Sequence, residues 1–230
     1  MEPFAIHIGS FLLSEPVTAV TDLLLGAFCI SRAAAFHKFR EQDSSLAAWQ
    51  TFFLLMGIST LMGVIVHGLI CYQSEKVHLT IWLWMSVISG ISIYFAQVAT
   101  SRSLLKDSKN GSLFRIIARV QLALFLLFML IFRDYNVVKI QVAIGMVPVM
   151  IIHFYGFRKG AAGSAWLATG IAVSFGSAVA HTWKLSISPK WFNFNDISHV
   201  FIFTSFALIS YGVLFSQKIE QTGETVSETI

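Results

Sequence analysis

The stretch Asn193-Phe194-Asn195-Asp196-Ile197-Ser198-His199-Val200-Phe201-Ile202-Phe203 sets an amide, a carboxylate and an imidazole at the head of a run otherwise fit for lipid. On a helix Asn195 and Asp196 precede His199 by four and three residues, so the three share one face. Ionisable groups at membrane depth are costly and face a bundle interior rather than lipid. This face therefore marks a candidate functional site, whose other walls must come from segments carrying polar groups to the same depth.

Of the 230 residues 56% are hydrophobic and only 12% are charged, and the mean hydropathy is +0.72. A soluble domain with that ratio lacks the polar side chains to cover its surface, so the expected fold is an all-α polytopic membrane protein. The formal charge of +4 does not point to nucleic acid, because the basic residues sit in short loops, where they set topology. Met1-Glu2-Pro3, with no Lys or Arg before Arg32, lacks the basic start of a cleaved signal peptide. Cys29 and Cys71 fall at different predicted depths and read as small apolar fillers, not as a disulfide.

A spanning helix needs about 20 mostly apolar residues. Seven stretches qualify, at 16–36, 48–71, 79–100, 113–132, 136–156, 161–183 and 195–216. Residues 1–216 thus read as a single seven-helix transmembrane domain, and the polar, acidic residues 217–230 as a disordered cytoplasmic tail. Ser14-Glu15-Pro16 opens the first span with a capping residue, an acid near the positive end of the helix dipole and a first-turn proline. Eleven Lys and Arg fall on the side of the 37–45 and 101–112 breaks and five on the other, none of them before the first span. The positive-inside rule then places the N-terminus outside and the C-terminus in the cytoplasm. Arg115 and Arg119 read as interfacial anchors.

Seven spans are free to scatter their polar groups over both leaflets, yet here they gather in the outer third. His67 ends the second span, His181 ends the sixth, and Asn195, Asp196 and His199 begin the seventh. Glu15, Thr18 and Asp22 (i, i+3, i+7) form a polar stripe in the outer turns of the first. Three imidazoles from three helices with a carboxylate nearby suit a zinc ion of the catalytic type, held by His67, His181 and His199 with a fourth position open to water. Asp196 is the nearest general base or ligand-orienting group, and the deeper Asp22 is a second carboxylate for that work. Asn195, Thr18 and Ser177 read as supporting or substrate-facing positions, and Glu15 as a dipole partner before a ligand. Gly63, Gly68, Gly176, Ser177 and Ala180 allow close helix approach. His153, beside Arg158 and Lys159, reads as interfacial, and His7, His37 and His78 as solvated.

The layout, with His67 and His199, resembles the CREST superfamily of seven-span membrane hydrolases, which includes the alkaline ceramidases and the progestin and adipoQ receptors. Those proteins hold zinc with a His late in the second span and a His-x-x-x-His pair in the seventh, beside a Ser one turn before the first His and an Asp in the third span. This chain departs from them at each accessory position. Asn195 replaces the first His of the pair, Gly63 stands where the serine is expected with Ser59 one turn away, and 79–100 contains no Asp or Glu.

The resulting expectation is a zinc-dependent membrane hydrolase acting on a lipid amide or ester at the outer leaflet, with calcium as the other candidate metal. The alternative is a non-enzymatic seven-helix receptor or lipid- or ion-binding protein using the same polar cluster. Transport fits less well, because the polar set lies at one surface and not at the midplane. Retinal binding fails because the seventh span has no Lys before Lys218 for a Schiff base. The expected partner is a membrane lipid, as substrate or ligand; a homo-oligomer and the identity of the membrane stay open.

Overall fold

The computed structural model describes residues 4–39 and 43–222. Strands β1 (Ala5–Ile8) and β2 (Phe11–Ser14) form an antiparallel hairpin pairing Ala5 with Ser14 and Ile8 with Phe11. Among the described residues seven α-helices follow: α1 (Pro16–His37), α2 (Ser44–Gly68), α3 (Glu75–Thr100), α4 (Lys109–Phe132), α5 (Tyr135–Arg158), α6 (Ser164–Trp183) and α7 (Phe194–Thr222).

The helices begin where short polar breaks supply caps. Asp43, Ser74, Ser108 and Asp134 each accept a backbone N–H from the first turn of the helix that follows. α1 departs from the expectation: Glu15 sits at its head with φ 38° and makes no side-chain cap. Its carboxylate is used elsewhere.

Six of the seven helices are long and apolar enough to cross a membrane, consistent with a multi-pass membrane protein. α6 is not among them. It has 20 residues, but Ser164, Thr169, Gly170, Ser174, Gly176, Ser177 and His181 dilute its apolarity. Those small residues let it pack closely against α7, and a Cβ on Gly170 would meet the Ser205 carbonyl at 2.9 Å.

The helices close into a ring in the order α1, α2, α3, α5, α6, α7, with α4 outside it against α3 and α5. α4 accordingly exposes a broad apolar face that includes Ile117, Leu124, Phe128 and Ile131. Such a face is consistent with a helix that meets lipid. At the end of the ring opposite His67, Phe52 packs edge-on against Phe53 and Phe206, with centroids 5.1 and 5.5 Å apart.

Three glutamines cross the wall where α4 joins. Gln97 Nε2 donates to Gln121 Oε1 (2.9 Å), Gln121 Nε2 to Gln141 Oε1 (3.0 Å), and Gln141 Nε2 to the Gly90 carbonyl (3.2 Å). Two expectations change here. His153 is not interfacial but 2% exposed, between Thr100 Oγ1 (3.1 Å) and Ser164 Oγ (3.3 Å), because α5 turns this face inward onto α3 and α6. α7 stays helical to Thr222, past the expected start of the tail; residues 223–230 lie outside the described residues. Cys29 and Cys71 are free thiols, and Cys71 Sγ lies 2.9 Å from Ser14 Oγ.

Candidate functional site

Each residue of the α1 stripe reaches a different group. Glu15 Oε2 lies 2.6 Å from His67 Nδ1 on α2. Thr18 Oγ1 donates to Asp196 Oδ1 (2.8 Å), and Asp22 Oδ1 lies 3.4 Å from His199 Nε2 on α7. The spacing i, i+3, i+7 thus binds α1 to both neighbours along one line. Glu15 serves His67 directly, in place of the dipole role expected of it.

Thr21, which sequence reasoning misses, meets the other ring nitrogen of His199. Its hydroxyl donates to the Thr18 carbonyl (3.0 Å), so it accepts from the Nδ1–H of His199 at 2.7 Å. A neutral His199 then carries its lone pair on Nε2, directed at the Asp22 carboxylate. Two acceptors facing each other at 3.4 Å are reconciled by a proton or a metal cation between them. The other oxygen, Asp22 Oδ2, is buried without a hydrogen-bond partner. Such a group is expensive unless something satisfies it.

Asp22, His67 and His199 border one cavity of about 480 Å³ inside the ring. Asp22, His67, His181, Asn195, Ser177 and His199 line one end of it; Met56, Met146, Phe206 and Ile209 line the deeper part. On α2 alone the lining runs from Phe52 to His67, about 22 Å at ~1.5 Å per residue. Ser86 and Ser205 also line it, and their hydroxyls, like Asp22 Oδ2, are buried without partners. A long apolar chamber with a polar head suits an amphiphile.

The expected imidazole triad comes together only in part. His67, His181 and His199 share the cavity, but the His181 ring is held between Tyr135 and Phe194, each centroid 5.0 Å away. Asp196 does not line the cavity: Oδ1 accepts from Thr18 and Oδ2 from the Asn193 backbone N–H (2.7 Å). Asn193 Oδ1 in turn accepts from Asn195 N (2.7 Å), a reciprocal capping box at the head of α7. The carboxylate beside His199 is Asp22 instead. The donor chemistry of Asp22, His67 and His199 suits zinc, since each imidazole has Nδ1 held by an oxygen and Nε2 left for a ligand. Among the described residues no group of three His, Cys, Asp or Glu is already gathered to hold a metal ion.

The chain belongs to DUF6962, a family of unknown function, whose model matches residues 17–218. No curated protein and no solved structure matches it.

Proposed function

We propose that this is a seven-span membrane protein, N-terminus outside and C-terminus cytoplasmic, that hydrolyses a lipid amide or ester at the Asp22–His67–His199 end of its internal cavity. The observation that carries this reading is the facing of Asp22 Oδ1 and His199 Nε2 beside the unsatisfied Asp22 Oδ2. α6 counts as a span because it closes the ring between α5 and α7.

Asp22, His67 and His199 would hold a zinc ion, which when bound supplies a Lewis acid and a water with a pKa near ~7. Glu15 fixes the ring of His67 through Nδ1, and Thr21 does the same for His199. Asp22 Oδ2 is the oxygen free to take a proton, and Ser86 and Ser205 offer hydroxyls to the polar part of a ligand. Met56, Met146, Phe206 and Ile209 receive its apolar chain and keep water from it.

The test is zinc content and lipid turnover of the purified protein beside Asp22→Asn and His199→Ala. About one equivalent of zinc and turnover of an amide or ester lipid, both lost in the variants, supports the proposal. A folded, zinc-supplemented wild type that turns over neither lipid class ends the hydrolase reading. A second reading, a non-enzymatic lipid-binding protein, is favoured by the lack of a gathered three-donor set among the described residues. Lipid that copurifies with the wild type, stays intact and is lost on His199→Ala would select it.

A further inference from the structure

A second cavity, of about 370 Å³, lies at the opposite end of the bundle, where α2 and α6 begin and α7 runs out. Its walls are polar, and they include Arg102, Lys106, Ser44, Ser45 and Ser164, with the buried His153 at its base. Arg102 Nη1 donates to the Ser44 carbonyl (2.8 Å), which holds the guanidinium at the head of α2. Lys106 ends a π-helical turn (Ser101–Leu105) at φ 50°, and its carbonyl accepts from Arg115 Nη1 at 3.1 Å. Arg115 also donates to Ser101 Oγ (3.1 Å), so this turn is fastened at both ends.

Neither Arg102 nor Lys106 has an ion-pair partner among the described residues. Asp43, the carboxylate in this wall, is committed elsewhere: it accepts from Ser45 N (2.7 Å), Ser45 Oγ (2.8 Å) and Gln217 Nε2 (3.0 Å). Two cations with free donors in one polar cavity have the chemistry that recognises a phosphate oxyanion. The apolar cavity at the other end has no such pair.

We propose that this cavity binds a phosphate group, independently of any chemistry at the His199 end. The phosphate has two sources, the headgroup of an anionic lipid in the adjacent leaflet or a soluble phosphate. Basic pockets between helices on the positive side of a membrane protein suit the first.

The test uses the full chain in phosphatidylcholine nanodiscs, with phosphatidylinositol 4-phosphate as the probe and inorganic phosphate as competitor. Arg102→Gln and Lys106→Gln are each expected to weaken lipid binding roughly fivefold. Lys109→Gln, which removes a charge on the same side outside the cavity, is the control and leaves binding unchanged. Should Arg102→Gln fold poorly for want of its bond to Ser44, Lys106→Gln still decides the matter. Competition by inorganic phosphate assigns the site to phosphate from either source, and lipid binding without competition assigns it to the headgroup. No binding of the lipid or of inorganic phosphate to the wild type, or equal weakening by Lys109→Gln, overturns the proposal.

Discussion

Gly63 and the Asp22 carboxylate occupy adjoining space so closely that a Cβ on residue 63 would lie 2.6 Å from Oδ2 and 2.7 Å from Cγ. The absence of a side chain on α2 is what lets the α1 carboxylate turn toward α7. Gly63→Ser is expected to push Asp22 off His199, costing about 1–3 kcal/mol by overpacking and lowering zinc occupancy. Unfolding midpoints in detergent and metal content of the purified variant measure both. A Gly63→Ser protein as stable and as zinc-loaded as the wild type would show that the carboxylate has room to spare.

Asp196 separates a structural from a chemical role. Both its oxygens are taken, by Thr18 and the Asn193 N–H, so its work is to start α7 and tie it to α1. Asp196→Ala is expected to lower stability by about 1–2 kcal/mol, as loss of a cap does, while zinc content stays at the wild-type level. In a double-mutant cycle with Thr18→Val the two losses are less than additive, because they remove one shared bond. Loss of zinc from Asp196→Ala at unchanged stability would return this carboxylate to the site.

Much of the architecture is written in one dimension. The seven apolar runs and the polar breaks that cap them need only local rules, and the stripe Glu15, Thr18, Asp22 follows from helical spacing alone. The hairpin before α1 carries only a short signal, Gly9-Ser10 between Ile8 and Phe11, a two-residue turn. Asp196 reads as a chemical group in the sequence because it shares a face with His199. The competing pattern, Asn193-x-x-Asp196, is a capping box at the same spacing, and it is the one that uses the carboxylate. Which partner each imidazole takes is a tertiary matter. Nothing near His181 in sequence announces Tyr135, and nothing near His153 announces Thr100.

The Glu15–His67 contact sets up the next test. At 2.6 Å the carboxylate accepts from Nδ1 and orients the ring so that Nε2 is left for a ligand. Glu15→Gln keeps the size of the side chain and removes its charge. Metal affinity is expected to fall roughly 10–100-fold, the range typical of such supporting partners, with the helical content unchanged. Competition titration against a chelator reads the affinity directly; a shift of less than twofold would leave Glu15 as a fastening of α1 to α2 only.

The chain of amides Gln97–Gln121–Gln141 ties α4 to the ring, and it predicts an asymmetry. Gln121 is the link at which α4, lying outside the ring, is tied to α3 and α5. Gln121→Leu takes away three bonds, one of them to the Gln141 carbonyl, and leaves the Gln97 amide donor and Gln141 Oε1 unpaired in an apolar wall, where no water replaces them. Interhelical bonds in membranes are worth about 0.6–2 kcal/mol each, and a stranded buried polar group adds ~1–3 kcal/mol. Replacing all three glutamines by leucine takes a side-chain donor only from the carbonyls of residues 90 and 141, which keep their places in the helical ladders of α3 and α5. The triple variant is therefore expected to be more stable than Gln121→Leu alone, by an amount that reversible unfolding in detergent resolves. If instead the losses simply add, the amides act as three separate contacts and not as a chain.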